Sequence, residues 1–220
     1  SLVKISTWLV FFGFHPSLCI HLSIYIPTGY TDWQMISFAQ NYLTRGFWGD
    51  EAWTSLISQL PYTQMLKTTA ADFHPPGYYT IIEIVYEFLP PTEINTRLVS
   101  VGFYLLTLFM VYKLARYVRG RIFGAVTTLI VALNPIFFTY AFEARNYTMF
   151  AFAATGSCFF LIELSKKFNV FRAVAFILFS ALGIYTHYYM FFILASQGLY
   201  LLLFDRKILF KMIGLYLIVG

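Results

Sequence analysis

Apolar runs about as long as a membrane-spanning helix recur along this chain and constrain its fold more than any other feature. A helix needs roughly 20 mostly apolar residues to cross the hydrocarbon core of a bilayer. Of the 220 residues, 59% are hydrophobic and only 11% are charged, which is more apolar than a typical soluble domain. The sequence therefore predicts an integral membrane protein, and its runs predict an all-α, polytopic helical bundle.

The apolar runs can be counted against that length to predict the spans. The first run follows Lys4 and lacks the small-residue cleavage site of a signal peptide, so we interpret it as a helix that stays in the membrane. The run from Ala173 to Phe204 is too long for one crossing, and we divide it near Thr186 and His187. The predicted spans are Trp8–Ile26, Leu98–Val118, Ile122–Phe142, Tyr147–Leu164, both halves of Ala173–Phe204, and a last one that starts at Ile208.

Basic residues gather in short clusters beside these spans. The net charge of +5 would suggest nucleic acid in a soluble chain, but here the cations are topology signals. By the positive-inside rule the clusters face the cytoplasm, which places residues 28–97 and the turns around Glu143 and His187 outside. We expect a multi-pass protein of the plasma (inner) membrane with an extracytoplasmic site. The clusters are Lys113, Arg116, Arg119 and Arg121, then Lys166, Lys167 and Arg172, then Arg206, Lys207 and Lys211.

Residues 28–97 form the predicted extracytoplasmic loop, and three segments in it have the pattern of amphipathic helices. Asp32–Thr44 and Ala52–Leu60 place apolar residues at helical spacing. Gly77–Leu89 is apolar, but at about 13 residues it is too short to cross the bilayer. We therefore predict juxtamembrane helices that lie on the membrane surface.

The chain is predicted to form one membrane domain over residues 1–220, since no internal repeat divides it. It starts at Ser1 without a Met and stops at Gly220 within an apolar run, so we expect an N-terminal fragment that is truncated at its C-terminus. Cys19 and Cys158 lie inside apolar runs, and neither a disulfide framework nor a zinc site is indicated.

Asp50 and Glu51 form an acidic pair at the start of the Ala52–Leu60 segment. A structural interpretation makes Asp50 the N-cap of that helix and Glu51 a favourable first-turn anion. A functional interpretation makes one carboxylate a general base, since carboxylates at a membrane face are costly unless they do chemistry or bind ions. Adjacent helical positions do not share a face, so only one of the two is expected to point into a cavity, and we choose Asp50.

Other polar clusters fall on the predicted outer face, each with a structural and a functional interpretation. Asp72 and His74 lie on a backbone stiffened by two prolines, either as a capped turn or as ligands of a metal ion. Glu143 and Arg145 either pair with each other or leave Arg145 to bind a phosphate through its planar fork. His187 lies among aromatic residues, which are common at membrane interfaces.

Five short motifs contain these residues in a fixed order. They are Trp48–Ala52, Asp72–Tyr79, Arg97–Ser100, Glu143–Tyr147 and Tyr185–Tyr189. Together they resemble the GT-C membrane glycosyltransferases, and most closely the bacterial branch related to protein O-mannosyltransferases and lipid A aminoarabinose transferases. The resemblance covers roughly residues 45 to 205.

This resemblance implies an enzyme that moves a sugar from a polyprenyl-phosphate carrier, with inversion, to an acceptor hydroxyl at the outer face of the membrane. The acceptor would be a lipid, a glycan or a protein, and neither a nucleotide cofactor nor nucleic acid would take part. Asp50 matches the acidic position that acts as base or orients the acceptor, and Glu51 is its companion. Asp72, His74 and His187 fall where some relatives hold a divalent metal ion.

The resemblance also implies which side chains contact the substrate. Glu143 and Arg145 match the second outer loop, which lies close to the donor phosphate. Tyr147 belongs to the same motif, and Tyr78 and Tyr79 belong to the second motif, so we expect all three tyrosines to bind substrate. Membrane lipids are the remaining partners.

Two other classes of protein stay open at this point. Part of a transporter or lipid flippase would carry charges at the bilayer midplane and interrupted helices in paired halves. A non-catalytic membrane scaffold would tolerate replacement of its carboxylates by Ala. The charges of this chain cluster at one predicted face and no paired halves are visible, which favours the enzyme.

Overall fold

The structure is a computed structural model, and it describes residues 2–10, 19–27, 41–71 and 74–219. The chain divides into two compact units, Ser1–Tyr42 and Leu43–Gly220, which are described separately. The predicted interfacial helix Asp32–Thr44 lies outside the described residues except for 41–44, which are helical.

The described part of the N-terminal unit is an antiparallel β-hairpin. Strand β1 (Leu2–Val10) pairs with β2 (Cys19–Pro27) so that Leu2 lies opposite Pro27 and Val10 opposite Cys19. The predicted spanning helix Trp8–Ile26 is therefore wrong, and the all-α prediction does not hold for this unit. Both strands are rich in β-branched residues, and Pro16 between them disfavours one continuous helix.

Three short helices open the second unit. They are α1 (Gly49–Ile57), α2 (Tyr62–Ala70) and α3 (Gly77–Phe88). The prediction of helices over Ala52–Leu60 and Gly77–Leu89 is confirmed, with α1 beginning three residues earlier than its apolar stripe. Helix α2 was not predicted, because its Thr-rich sequence has a weak apolar face. One buried residue from each helix, Ile57, Met65 and Tyr79, packs into a small common core.

Helix α4 (Glu93–Ala132) consists of two arms that meet at Arg119 and Gly120. Gly120 has φ of +86°, a conformation that an L side chain rarely adopts and that Gly allows without strain. The Tyr104 hydroxyl donates a hydrogen bond of 2.7 Å to the carbonyl of Ala132, so the second arm returns beside the first. The arms match the predicted span Leu98–Val118 and the first part of the span that follows it.

The predicted span Ile122–Phe142 is broken. It ends as a helix at Ala132, and a separate short helix α5 (Pro135–Ala141) follows. The side chain of Asn134 accepts a hydrogen bond of 3.0 Å from the Phe137 N–H and so caps α5. Pro135 disfavours a helical conformation at Asn134 and is well suited to the first position of a new helix.

Four further helices complete the described part of the second unit: α6 (Tyr147–Lys166), α7 (Val170–Thr186), α8 (Met190–Phe204) and α9 (Arg206–Val219). Helices α4 and α6 are long and apolar enough to cross a membrane, and α7 and α8 are shorter apolar helices. The predicted division near Thr186 is confirmed, because α7 ends there. The architecture is consistent with a polytopic membrane bundle.

The helices from α6 onward share one apolar core, which contains a polar contact. The Ser157 and Ser180 hydroxyls are 3.1 Å apart, and the Gln197 amide donates to Ser157 over 3.1 Å. Interhelical hydrogen bonds of this kind hold membrane helices together. The buried core residues are Leu161, Leu164, Ala173, Phe176, Met190, Leu194, Leu201 and Met212.

Candidate functional site

Turns that are far apart in sequence meet at one end of the second unit. The Ala144 N–H donates to Glu51 over 2.9 Å, which joins the α5–α6 turn to α1. The Asn146 side chain donates to the carbonyl of Thr186 over 2.9 Å, which joins the same turn to the end of α7. Three of the five motifs of the sequence therefore meet in one region.

Gly77 allows α3 to approach this region closely. A Cβ at this position would collide with the backbone carbonyl of Tyr185, in the last turn of α7. Backbone atoms cannot move aside as a flexible side chain can. The glycine thus lets the start of α3 lie close to the turn that carries His187. His74 lies three residues before that start.

Glu51 and Arg97 form a fully buried ion pair. Arg97 Nε and Nη2 donate to the two carboxylate oxygens over 2.9 and 2.6 Å, and both side chains are 0% exposed. The remaining guanidinium donors bind the backbone carbonyls of three residues in the segment before α1, so that all five N–H groups of Arg97 are engaged. These carbonyls belong to Leu43, Arg45 and Gly46, at 2.8, 2.6 and 3.3 Å.

Both carboxylate oxygens of Glu51 also have hydrogen-bond donors. Besides Arg97, its oxygens accept hydrogen bonds from the backbone N–H of Ala144 at 2.9 Å and of Trp48 at 3.4 Å. Burial alone would raise the pKa of Glu51, but the hydrogen bonds from Arg97 and Ala144 and the charge of Arg97 lower it below its ordinary value. The carboxylate is ionised and ties α1, α4 and the α5–α6 turn together, which favours a positioning role over direct catalysis.

Asp50 has a different environment from its neighbour. Its side chain is 51% exposed, and its Oδ2 lies 3.3 Å from Nη2 of Arg145. The structure therefore separates the acidic pair as adjacent helical positions require. Asp50 is not the N-cap of α1, because the helix begins at Gly49 with Trp48 before it.

Arg145 is held firmly at its backbone while its side chain keeps donors available. Its carbonyl accepts a hydrogen bond of 3.2 Å from the Ser100 hydroxyl, which is 2.6 Å from the Tyr78 hydroxyl. The guanidinium is 8% exposed and lies over the Tyr147 ring at 5.7 Å. Its Nε is buried without a hydrogen-bond partner among the described residues, and an unsatisfied buried donor is costly unless a ligand completes it.

A narrow cleft, which has no room for a water molecule in this structure, lies beside this guanidinium. Asn146 contributes a second orphan to it, because its Oδ1 is buried without a partner in the part of the chain that the structure describes. The predicted substrate-binding residues Tyr78 and Tyr79 are walls of the cleft and are almost fully buried. The lining residues are Thr54, His74, Pro75, Tyr78, Tyr79, Arg145 and Asn146.

His74 and His187 approach each other edge to face, with ring centroids 6.1 Å apart. Nδ1 of His187 accepts a hydrogen bond of 3.2 Å from the Tyr189 N–H. Burial lowers the pKa of His187, and the positive charges of His74 and Arg145 lower it further. Both imidazoles, which are more than 100 residues apart in sequence, therefore lie near the Arg145 guanidinium.

The predicted metal site is not complete in the described residues. They contain no group of three or more His, Cys, Asp or Glu side chains that could hold an ion. Two imidazoles are fewer ligands than a zinc site needs, and Asp72, the third predicted ligand, lies outside the described residues. The metal site stays a prediction.

Glu143 lies two residues before Arg145, in the turn between α5 and α6. It does not pair with Arg145, whose ion pair is with Asp50. Burial raises the pKa of Glu143, and the nearby charge of Glu51 raises it further. The side chain lines a groove of about 340 Å³ together with Pro135, Ile136, Thr139 and Tyr140.

Two aromatic rings connect this groove to the arginine. The Tyr140 and Tyr147 ring centroids are 4.5 Å apart, and Tyr147 is the ring over which the Arg145 guanidinium lies. Tyr147, a predicted substrate-binding residue, thus stands between the groove and the guanidinium.

Arg97 is the functional residue that sequence reasoning left without a role. It occurs in one of the five motifs, but its partner Glu51 is 46 positions away and no local pattern joins the two. The available signal was a charge in an apolar stretch of helix, five positions after Thr92 and three before Ser100 at the same end of α4. A charge in such a place needs a partner.

A helical bundle whose charged side chains converge at one end, beside apolar helices, is consistent with the class of membrane enzymes or transporters. A family profile described as dolichyl-phosphate-mannose-protein mannosyltransferase matches residues 73–220, more than half of the chain. The chain belongs to this family and is a mannosyltransferase-like membrane glycosyltransferase of the GT-C type. Comparisons with curated proteins and with solved structures gave no match.

The matched region contains most of the site but not all of it. His74, Glu143, Arg145 and His187 lie within it, whereas Asp50 and Glu51 precede it. The contacts from the α5–α6 turn to Asp50 and Glu51 therefore join the matched region to a segment that the family profile does not cover.

Proposed function

We propose that this chain transfers a sugar from a polyprenyl-phosphate carrier to an acceptor hydroxyl, with inversion, at the extracytoplasmic face of the membrane. The observation that carries the proposal is the contact between Asp50 and Arg145, an exposed carboxylate 3.3 Å from a buried guanidinium. The Asp50 carboxylate is suited to accept a proton, and the Arg145 guanidinium is suited to bind a phosphate group. A family whose described substrate is a dolichyl-phosphate sugar fits both.

Arg145 is the proposed phosphate ligand. Its planar fork can bind two phosphoryl oxygens, and its buried Nε has a donor to offer. His74 and His187 lie together near this side chain, and imidazole N–H groups can donate hydrogen bonds to phosphoryl oxygens. The donors around Arg145 thus favour an anionic group.

Asp50 is the proposed general base. It removes the proton of the acceptor hydroxyl while that oxygen attacks the anomeric carbon and forms the new glycosidic bond. The bond from the anomeric carbon to the phosphate oxygen breaks, and the electron pair leaves with the polyprenyl phosphate, whose charge Arg145 stabilises. Attack opposite the leaving group in a single displacement inverts the anomeric configuration.

Glu51 and Arg97 are the proposed positioning pair. Glu51 follows Asp50 in α1, and its carboxylate accepts a hydrogen bond from the backbone N–H of Ala144, the residue before Arg145. The buried pair therefore fixes both the base and the phosphate ligand through one set of hydrogen bonds. Such support is what holds a reactive constellation within a fraction of an ångström.

The proposed side of the membrane follows from the basic residues. Arg119 and Arg121 lie at the turn of α4, and the chain then runs through the second arm and α5 before it reaches Arg145. The positive-inside rule places the α4 turn in the cytoplasm and so places Arg145 at the opposite face.

Transfer of radiolabelled mannose from polyprenyl-phosphate mannose by the full-length protein in proteoliposomes tests this function. General-base catalysis is typically worth 10² to 10⁴-fold, so Asp50→Asn is expected to lower kcat on about that scale. Arg145→Lys keeps the charge but loses the fork, and it is expected to raise the KM for the donor.

Glu87→Gln is the matched control, because Glu87 is an exposed carboxylate on α3 away from the cleft. It should leave both constants unchanged. An Asp50→Asn protein with near-normal kcat would remove Asp50 from the mechanism. Lipid scrambling by the wild type without any sugar transfer would favour a flippase instead.

A further inference from the structure

Burial of the Glu143 carboxylate in the proposed site has a free-energy cost that none of the contacts described above offsets. Its carboxylate is half-buried, and among the residues that the structure describes no hydrogen bond or ion pair engages it. Burial of a charge without a partner is unfavourable, and the raised pKa of Glu143 is the sign of that burial. Neither the base nor the phosphate ligand of the proposed mechanism needs this carboxylate.

The groove in front of Glu143 has a distinct chemistry. Hydroxyl-bearing Thr139 and Tyr140 line it together with apolar Pro135 and Ile136. Its volume of about 340 Å³ lies at the small end of the range for small-molecule sites, roughly 300 to 1,000 Å³. A carboxylate accepts hydrogen bonds from neighbouring hydroxyls, and an aromatic ring packs against an apolar ligand face.

The groove and the phosphate cleft differ in the charged residues that line them. Arg145 and His74 line the cleft, whereas Glu143 is the acidic residue among those that line the groove. A phosphate is repelled by Glu143 and attracted by Arg145. The groove is therefore suited to a neutral group rich in hydroxyls, adjacent to the phosphate across the Tyr140 and Tyr147 rings.

We propose that the groove along α5 is a sugar subsite in which the Glu143 carboxylate accepts hydrogen bonds from the hydroxyls of one sugar ring. The inference rests on the proposed function, because it places the ring next to the phosphate ligand. The ring is the transferred sugar of the donor or a sugar of a glycan acceptor, and both present the same hydroxyls. Glu143 is thus a specificity-determining residue.

Two binding constants separate the sugar from its carrier. The full-length protein is titrated with sugar-free polyprenyl phosphate and with polyprenyl-phosphate mannose, and the ratio of the two Kd values gives the contribution of the sugar. Hydrogen bonds to a charged group are worth about 10 to 100-fold in affinity. Glu143→Ala is expected to reduce the ratio by about that factor and to leave the Kd of the sugar-free lipid unchanged, whereas Arg145→Lys should weaken both lipids together.

Glu143→Gln keeps the shape and one acceptor oxygen, so it tests the subsite if the Ala variant does not fold. It should reduce the ratio less than Ala does, and Glu87→Ala should not change it. If the ratio is unaffected in both Glu143 variants, the KM for a glycan acceptor decides. A raised KM assigns the groove to the acceptor, and an unchanged KM overturns the inference.

Failure of the proposed function gives a different result. In that case the wild type binds no polyprenyl phosphate and transfers no sugar, whatever stands at position 143. The subsite is then judged with methyl α-mannoside as a soluble probe. Weaker binding of this glycoside by Glu143→Ala supports the subsite, and equal binding or no binding by the wild type overturns it.

Discussion

Asp50 and Glu51 are neighbours in sequence, yet their side chains serve different ends. Glu51 is enclosed by Arg97 and by two backbone N–H groups, whereas Asp50 is half-exposed and pairs with Arg145. Helical geometry predicts from sequence that the two point apart, but not which one turns inward. That choice depends on Arg97, which only the tertiary fold brings within reach.

The Glu51–Arg97 pair gives a prediction at this scale. Removal of one partner leaves an uncompensated buried charge, so Glu51→Leu or Arg97→Met is expected to lower the free energy of unfolding by about 3–5 kcal/mol. The double variant Glu51→Leu with Arg97→Met removes both charges and should lose less than the sum. Unfolding of the full-length protein in detergent, followed by circular dichroism, measures each variant and their coupling.

Glu87→Gln is the matched control for that cycle, because Glu87 is exposed on α3 and a surface change of this kind is usually within about 0.5 kcal/mol. Strict additivity of the two single losses in the double variant would mean that Glu51 and Arg97 stabilise the fold independently. It would contradict the positioning role that their shared hydrogen bonds indicate.

For the helices and strands, residues that restrict the backbone or cap a helix predicted the boundaries better than the apolar runs did. Uninterrupted hydropathy predicts one helix over Ile122–Phe142, but Asn134 and Pro135 end one helix and start the next. The same applies to Trp8–Ile26, where Pro16 and β-branched residues outweigh hydrophobicity. Hydropathy indicates whether a segment prefers an apolar environment. Its conformation depends on residues that restrict the backbone, such as Pro and the β-branched residues.

The short helices that carry the site were predicted better, because their signals are local. Helix α3 follows two prolines, and α1 has an apolar stripe at helical spacing. Their meeting with the turns after α5 and α7 depends on contacts such as Asn146 to Thr186, which no local pattern encodes. The resemblance of the five motifs to the GT-C glycosyltransferases indicated that these segments belong to one site, but it did not give their geometry.

Gly77 gives the prediction that belongs to this scale. Gly77→Ala places a methyl group against the Tyr185 carbonyl, so α3 must move away from the turn that carries His187. Overpacking of this kind costs typically 1–3 kcal/mol of stability. We expect that loss in thermal unfolding, together with weaker binding of polyprenyl phosphate as the cleft widens.

Gly102→Ala is the control, because nothing lies within 4 Å of a Cβ built at that position of α4. It should leave stability equal or slightly raised, since Ala favours a helix over Gly. If both variants behave alike, the close approach of α3 to the Tyr185 backbone is not what shapes the cleft.

For the whole molecule, the distribution of charge joins fold and function. Buried and half-buried charged groups of the site gather at one end, whereas the basic residues of the α4 turn and of the α6–α7 connection lie at the other ends of those helices. A lipid-linked sugar has the same division, with a long apolar tail and a polar head. The site therefore lies where such a head would meet the end of a membrane helix.

Topology gives the last prediction, since the proposed chemistry requires α1 and the turns after α5 and α7 on one face. In a background with Cys19 and Cys158 replaced by Ser, single cysteines are introduced as Gln59→Cys, Tyr188→Cys and Arg121→Cys, all at exposed positions. An impermeant thiol reagent added to intact, right-side-out vesicles is expected to label the first two, and the third only after permeabilisation. Gln59 and Tyr188 flank the site on different elements, so labelling of these two from opposite leaflets would make transfer at a shared centre impossible.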